Sequence, residues 1–531
     1  MTKKLFSLLL LASGMFTANA QLRNDGGQLS GSFESNSIYY VKDKGLESAI
    51  TPKDHFGSNN FLKVDYLNGH FAAGIQAEAY LPVLQGFDIG KFGDYHKFFL
   101  GSKYVQWQDE KFFILAGNIY DQFGSGLVFR SFEDRALGFN NSLEGIQGMY
   151  CFGHYAKIKG MYGRPRLYTD YAGSWIRGLD LSLSVSDLLT WEKTQISIEG
   201  SYVNRYEDLD KDDKTDFTEY GLTSPNLNMY SGRLNLNLYG IDLRGEYVTK
   251  ADDDLTSAFA GKATKGNAWL GEIGYNHNRL GMLATFRRLE HMGTMLTIYG
   301  NGTGNVLNYI PGLTRQYTYL LTNLNPYQVN AEGETGGQFD LYYSSRKQNK
   351  KAQGWNLHAN FSTYYTLEEN GGGKNRLLWR DINFDIERQW SKRLKTSVLF
   401  SRQEWDPNHG GNEGAKYTSN IFIADMTCKF NRKTSLHTEL QYLYSEDYEG
   451  DWAAALAELS FAPKWSLFAS DMYNLGKTEI HYYNAGFSYT QSRTRIQLSY
   501  GRNREGYVCS GGVCRFSPAY TGLNLMLTTS F

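Results

Sequence analysis

Apolar and polar side chains alternate across nearly all of residues 29–531, in segments of roughly ten residues each. The clearest segment is 179–186, where every second residue is aliphatic and the others are an aspartate and serines. Because a strand projects successive side chains to opposite faces, such a segment separates an apolar face from a polar one. The same period recurs in 233–238, 355–361 and 436–442. The pattern predicts an all-β protein, since no helical period of comparable length competes with it.

Short and long connectors join these segments in alternation. We expect about 24 strands, with limits of about 20 and 26, and Asn68-Gly69 is the strongest hairpin signal. In bacterial barrels the short turns face the periplasm and the long loops face outward. The sequence therefore predicts a single up-and-down antiparallel transmembrane β-barrel with long extracellular loops and short periplasmic turns. A large barrel also accounts for residues 21–531 as one domain.

The N-terminus has the form of a secretory signal. Lys3 and Lys4 precede an apolar stretch, and Ala18-Asn19-Ala20 supplies a small-residue cleavage site. We therefore expect residues 1–20 to be a cleaved signal peptide, which directs the chain beyond the inner membrane. Past residue 20 no run of eighteen apolar residues occurs, so helical spans are excluded on length. The expected location is the outer membrane.

Composition supports a barrel and gives little indication of partners. The chain has 39 Tyr, 31 Phe, 10 Trp and 56 Gly but only 9 Pro, a mixture that supplies aromatic girdles, turns and a wet interior. The formal charge of −1 comes without a basic patch, so nucleic acid is not an expected partner. The ten histidines form no H-E-x-x-H, and Ser125 lacks the spacing of a nucleophile elbow. We do not expect an enzyme.

Alternation also assigns charged residues to the inward face. Both signs occur among them, so the lumen should be polar without a clear preference for cations or anions. These positions are Lys63, Asp65, Glu78, Asp180, Glu199, Arg233, Asp242, Arg244, Glu246, Arg287, Asp340, His358, Asp385 and Glu439.

Two outward connectors stand out. In 122–144, charged side chains follow Gly124 and Gly126, which permit tight backbone turns. If this loop folds into the lumen, Arg130, Glu133, Asp134 and Arg135 would line a pore constriction. The alternative is an external loop held by its own salt bridges.

The longest connector, 289–336, is too long to be structureless inside an ordered domain. A barrel of about 24 strands also encloses more space than its wall side chains fill. We predict that this connector folds into or over the mouth as a plug or cap. The alternative is a surface platform for a partner protein.

Two further connectors carry candidate sites. An acidic window has the oxygen spacing of a calcium loop, although Asp213 replaces the usual glycine; the candidate ligands are Asp208, Asp210, Asp212, Asp216 and Glu219. The alternative is a solvated acidic loop, and no other cofactor is expected. Cys509 and Cys514 bracket the tip of the final connector, so an oxidising compartment favours a disulfide between them over free thiols.

Two resemblances to known proteins concern location rather than chemistry. The last strand, 520–531, ends at Phe531 and resembles the C-terminal signal read by outer-membrane assembly machinery. The runs 117–130 and 132–145, with a second block at 309–315, resemble an outer-membrane barrel family of unassigned function from Gram-negative anaerobes. That resemblance implies the fold and the location, and it transfers no catalytic or binding residue.

Two functions remain open from the sequence. The first is a pore or substrate-selective channel for small polar solutes, with a lumen narrowed or plugged by 122–144 and 289–336. The second is a closed structural barrel in a multi-protein outer-membrane assembly for secretion, insertion or nutrient uptake. That barrel would bind lipoprotein or barrel partners through its loops. In both cases the outer-membrane lipids surround the wall.

Overall fold

The computed structural model of the chain is a closed antiparallel barrel of 24 strands, as the alternation predicts. Each strand pairs with its neighbours in sequence, and the first strand pairs with the last. The structure describes residues 23–24, 26–46, 51–91, 95–191, 193–210, 222–253, 264–345, 354–367, 375–411, 414–510 and 513–531. The expected signal peptide, 1–20, lies outside the described residues.

We number the barrel strands β1 to β24 in chain order. They are β1 Gly27–Val41, β2 Phe56–Asn68, β3 Phe71–Tyr80, β4 Phe98–Gln108, β5 Phe112–Ile119, β6 Leu143–Phe152, β7 Ala156–Leu167, β8 Trp175–Ser184, β9 Thr194–Tyr206, β10 Asn226–Leu238, β11 Ile241–Asp253, β12 Thr264–His277, β13 Leu280–Glu290, β14 Gly333–Ser344, β15 Trp355–Thr366, β16 Leu377–Gln389, β17 Leu394–Trp405, β18 Tyr417–Lys429, β19 Thr434–Tyr444, β20 Trp452–Phe461, β21 Trp465–Asn474, β22 His481–Gln491, β23 Thr494–Asn503 and β24 Tyr520–Ser530.

The ring closes between β1 and β24. Ser32 lies opposite Ser530, and the register continues to Val41 opposite Thr521. Beyond β24, Phe531 exchanges two backbone hydrogen bonds with Gly31, of 3.0 and 2.9 Å. Closure leaves the sheet without an unpaired edge, which is the condition for a sheet to cross a bilayer.

The two faces of the wall differ as the alternation requires. In β8, Leu179 and Leu181 are 38% and 46% exposed on the outer face, whereas Asp180 between them is 6% exposed on the inner face. Because this exterior is apolar and the interior is polar, the architecture is that of an outer-membrane β-barrel.

The connectors at one end are short turns, and those at the other end are longer. Tyr239-Gly240 and Asn278-Arg279 are typical of the short end. Two connectors at the long end, 445–451 and 475–480, are themselves short. Their composition alone therefore did not distinguish them from the turns at the short end. The expected strand 179–186 ends at Ser184, whose hydroxyl accepts a hydrogen bond from the Asp187 N–H and caps a one-turn helix. That helix begins because residues 185 and 186 lie beyond the pairing with β9.

Small elements occupy the connectors. They are the strands Arg23–Asn24, Gln122–Phe123, Phe129–Arg130, Glu133–Asp134, Phe139–Asn140, Asp170–Tyr171, Gly506–Ser510 and Val513–Ser517, the helix Val185–Leu188, and the 3-10 turns Asp88–Gly90 and Leu321–Asn323. Across the described residues, no helix has both the length and the apolar character needed to span a bilayer.

Candidate functional site

The inner wall carries fully buried ion pairs. The Arg166 guanidinium on β7 donates to both carboxylate oxygens of Glu78 on β3, at 2.7 and 2.6 Å. On β10, Arg233 bonds Asp180 at 2.6 Å and Glu199 at 2.8 Å. Four of the inward charges predicted from the alternation, Glu78, Asp180, Glu199 and Arg233, are therefore paired within the wall. A lumen lined this way is polar without a strong field of either sign.

The first long connector, 120–142, lies against the inner wall. The Arg135 guanidinium donates to the Glu34 carboxylate on β1 at 2.9 Å and to the Gln76 side chain on β3 at 2.9 Å. It also stacks on the Phe61 ring, 4.7 Å from its centroid. Burial alone would lower the pKa of Arg135, but the carboxylates of Glu133 and Glu34 outweigh it and raise that pKa. The loop is thus bound to inward side chains of β1, β2 and β3.

The four residues expected at a constriction are only partly brought together. Glu133 accepts a hydrogen bond from Gln76 at 2.7 Å and lies 3.5 Å from Arg135. Asp134 instead accepts the Leu137 N–H at 3.1 Å within its own turn. The Arg130 guanidinium lies between two aromatic rings, one of which belongs to the second long connector. Their role as a pore constriction stays a prediction.

The second long connector, 291–332, is hydrogen-bonded to the first. The Arg130 N–H donates to the Leu307 carbonyl at 3.2 Å, and the Tyr309 N–H donates to the Gly126 carbonyl at 2.9 Å. The Asn308 amide reaches the Leu127 carbonyl at 3.1 Å. The glycine suspected of a tight turn is in the left-handed region, with φ +97° at Gly126. The two loops therefore form one backbone-bonded body.

An apolar cluster joins this body to the wall. The loops contribute Phe123, Leu127, Val128, Phe129, Met292, Leu296 and Leu307, and the wall contributes Leu115, Ile119, Leu143, Met161, Ile176, Val203, Leu227, Met229, Val248, Ala268 and Leu289. All of them are buried, and most have no solvent-exposed surface. The inner face of β5 to β13 thus departs from strict polarity where the loops cover it. The alternation alone did not reveal this departure.

The second half of 291–332 lies along the opposite wall. The Tyr317 hydroxyl donates to Asp381 on β16 at 2.7 Å, and the Tyr319 hydroxyl donates to Asp425 on β18 at 3.2 Å. The Arg315 guanidinium bonds Asp385 on β16 and also Asn383, the latter at 2.6 Å. Burial and the neighbouring carboxylates raise the pKa values of both tyrosines, so both phenols remain protonated donors. This half is therefore held both by hydrogen bonds to inward carboxylates and by apolar contacts of Leu321, Leu324 and Tyr327 with the wall.

A buried ion pair anchors the same connector near its end. Arg287 on β13 and Glu334 on β14 are 2.5 Å apart, and the side chains are 1% and 0% exposed. Glu334 also accepts hydrogen bonds from the Tyr327 hydroxyl and, at 2.8 Å, from the Asn330 N–H, while Arg287 donates to the Pro311 carbonyl. One charged pair thus ties three points of the loop to adjacent strands.

Two clefts lie in the lumen between these loops and the short turns, and the first of them is lined mainly by polar surface. Their volumes are about 800 and about 830 Å³, and both are lined by Asp242, Arg244 and Glu272. The first cleft reaches Ser125 in the loop body, and the second reaches Arg279 in a short turn. Clefts of this size fall within the volume range of small-molecule sites, roughly 300–1,000 Å³.

The remaining candidate sites lie nearer the long-loop end. Cys509 and Cys514 form the expected disulfide, with sulfurs 2.02 Å apart, in the hairpin of Gly506–Ser510 and Val513–Ser517. Of the expected calcium ligands, the Asp208 carboxylate accepts the Asp210 N–H at 3.2 Å. The other three, Asp212, Asp216 and Glu219, lie outside the described residues, so calcium binding stays a prediction.

Three solved structures show a distant similarity to the chain. The ferric enterobactin receptor PfeA mutant (R480A_Q482A) from Pseudomonas aeruginosa is 9% identical with a TM-score of 0.39, covering 95% of this chain and 80% of that one. The P pilus usher PapC translocation pore is 9% identical with a TM-score of 0.44, covering 95% and 99%. The siderophore receptor PirA from Pseudomonas aeruginosa is 9% identical with a TM-score of 0.42, covering 95% and 80%. Similarity this distant carries no argument about function.

At the level of sequence, no curated protein matches the chain. A family model does match it, over residues 1–531, and its description is a family of unknown function, DUF6029. The expected resemblance to a barrel family of unassigned function is thereby confirmed. The chain belongs to the family of unknown function DUF6029.

Proposed function

We propose that the protein is a loop-gated outer-membrane channel for small polar solutes, closed in this conformation by the connectors 120–142 and 291–332. The observation that carries the proposal is that one lumen contains both a blocking loop body and open clefts. A body of two hydrogen-bonded loops with a buried apolar cluster lies above two clefts of about 800 and about 830 Å³, which share the charged side chains of Asp242, Arg244 and Glu272. The clefts provide a path for solute, and the loops provide the barrier.

The apolar cluster supports a closed resting state. Each fully buried Phe, Leu, Val or Met contributes about 1.5–3 kcal/mol relative to its exposed state. The loop members Phe123, Leu127, Val128 and Phe129 are at most 1% exposed, so moving them into water would be costly. This half of the loop body therefore acts as a fixed partition.

The opposite half supports a movable gate, which we define as residues 315–324. Arg315, Tyr317 and Tyr319 reach the wall through hydrogen bonds to carboxylates, and because water can replace such bonds each contributes only about 1.5–3 kcal/mol net. Leu321 and Leu324 add an apolar contact from this stretch to the wall cluster of β17 to β20, and the Tyr317 and Tyr319 rings pack against the same cluster. Opening along 315–324 would therefore connect the clefts to the outside at the lowest free-energy cost.

The second candidate is the closed structural barrel that binds lipoprotein or barrel partners. The apolar filling over β5 to β13 favours it, because a structural subunit needs no opening. The two functions differ in whether the hydrogen-bonded half ever leaves the wall.

Planar-bilayer conductance separates the two. The test variant replaces 315–324 by a glycine–serine segment of equal length, and the control replaces 475–480, a loop at the same end, in the same way. For a gated channel, we expect rare openings in the wild type and the control, and steady conductance in the test variant. If all three barrels fold and the test variant is as silent as the control, the gated channel is refuted and the structural barrel is supported.

A further inference from the structure

Three metal-ligating side chains meet on the inner wall beneath the gate. Asp425 lies on β18, and His437 and Glu439 lie on β19. The His437 Nε2 is 3.1 Å from Asp425 Oδ2 and 3.6 Å from Glu439 Oε1. One ligand atom from each residue lies within 4.8 Å of the other two. Glu439 is inward-facing as the alternation predicts, and the strand register brings Asp425 to it.

The charges of this cluster are not balanced. Asp425 and Glu439 are directly opposite in the register of β18 and β19, where like charges destabilise a sheet. Elsewhere on the wall, carboxylates such as Glu78 and Asp180 have a guanidinium partner. Neither Asp425 nor Glu439 forms an ion pair with a lysine or arginine of the described chain. A single imidazole nitrogen faces both carboxylates, so a cation at that point would satisfy all three groups.

Two hydrogen bonds already orient the candidate ligands. The Tyr319 hydroxyl of the gate donates to Asp425 Oδ2 at 3.2 Å. The Gln441 amide donates to Glu439 Oε2 at 2.8 Å, which leaves Oε1 facing the imidazole. Such outer partners are typical of metal sites, because they fix the orientation of the ligating carboxylates.

We propose that Asp425, His437 and Glu439 form a binding site for a divalent transition-metal ion, with Zn²⁺ the best match. One imidazole nitrogen and two carboxylate oxygens suit Zn²⁺, whose bonds to such atoms are about 2.0–2.2 Å long. Ligand atoms around a tetrahedral zinc ion are then about 3.3 Å apart, close to the present 3.1 and 3.6 Å. Water completes the coordination.

The bound ion would also hold the gate closed, and this consequence rests on the proposed function. Because Tyr319 bonds the ligand Asp425, metal binding and docking of 317–324 favour each other. The neighbouring Leu321 N–H donates to the Gln441 side chain at 3.0 Å, so the same stretch touches the outer partner of Glu439 as well. Metal binding is therefore expected to slow amide exchange in 317–324.

Isothermal titration of the full chain in detergent, stripped of metal and titrated with ZnCl2, tests the site directly. We expect one zinc equivalent that His437→Gln and Asp425→Asn each remove. The matched control is His358→Gln, because His358 also lies between two aspartates, at 3.0 and 3.1 Å, but outside the cluster. X-ray absorption of the zinc complex should show a nitrogen and oxygen shell at about 2.0–2.2 Å. Tyr319→Phe should weaken binding by about 10- to 100-fold, as for other outer-partner losses.

Either of two results would overturn the metal site. Either the wild type binds no zinc, or His437→Gln binds it with the stoichiometry and affinity of the wild type. If zinc leaves amide exchange in 317–324 unchanged, the coupling to the gate is refuted. These measurements do not depend on conductance, so an electrically silent barrel that binds zinc would refute the channel and leave the metal site standing.

Discussion

Glu334→Gln should release residues 311–330 of connector 291–332. In the closed state Glu334 neutralises Arg287 and accepts hydrogen bonds from Tyr327 and Asn330, while Arg287 also holds the Pro311 carbonyl. The variant keeps the shape but leaves a buried, unpaired guanidinium, which costs about 3–5 kcal/mol. Opening would hydrate Arg287, so the cost falls on the closed state. The closed population should therefore drop by about 10²- to 4 × 10³-fold relative to the open one, at about 1.4 kcal/mol per tenfold.

Hydrogen–deuterium exchange of 311–330 measures this shift, and conductance reports it independently. Arg287→Met combined with Glu334→Gln should recover most of the protection, because a buried ion pair can be replaced by neutral groups at small cost. The control is Glu78→Gln, which leaves Arg166 equally unpaired but touches no residue of 291–332. The reasoning is refuted if Glu334→Gln exchanges like the wild type, or if the double variant opens as much as the single one.

Three further predictions concern the wall and the mouth. Burial would raise the pKa of Asp43, but hydrogen bonds from Arg502 and Thr521 outweigh it and lower that pKa to about 2. The ionised Asp43 carboxylate therefore stabilises the folded state fully above the unfolded pKa near 3.8, and this stabilisation is lost as the pH falls through about 2. The difference in melting temperature between the wild type and Asp43→Asn should therefore vanish only in strong acid. The Cys509–Cys514 disulfide closes a loop of sequence separation 5, so its reduction should destabilise the hairpin by about 2 kcal/mol. Tryptic cleavage at Arg515 should then become faster, and an unchanged cleavage rate would contradict this prediction. A Cβ on Gly117, at φ +128°, would lie 2.1 Å from the Lys103 carbonyl oxygen, so Gly117→Ala should lower the refolding yield. Gly232→Ala is the control and should leave the yield unchanged, because a Cβ there would have no atom within 4 Å.

The wall could be predicted from the sequence because its rule is local. A strand alternates faces at every residue, so Asp180 and His358 were assigned inward without knowledge of any partner. Turn composition likewise identified the short end and the disulfide at Cys509 and Cys514. The end of β8 was missed by two residues, because Val185 and Ser186 continue the alternation but turn into a helix, where the Ser186 hydroxyl accepts the Ile196 N–H of β9 in place of a backbone pairing.

The interior could not be predicted in the same way, because its contacts join residues far apart in sequence. Asn308 bonds the Leu127 carbonyl across 181 positions, and Tyr319 bonds Asp425 across 106. Nothing near Arg130 indicates that it stacks on Tyr309 rather than facing an aqueous pore. The cluster of Asp425, His437 and Glu439 arises from the register of two strands, which alternation does not fix.

The two halves of the loop body become available at different times as the chain emerges. Every member of the apolar cluster lies within residues 115–307, so that half can assemble on β5 to β13 while the sheet is still an open arc. The wall contacts of Leu321 and Leu324 lie on β17 to β20, which follow them in the chain. Ring closure waits for Phe531 to reach Gly31. The partition can therefore be in place before the barrel exists, whereas the gate must be docked late.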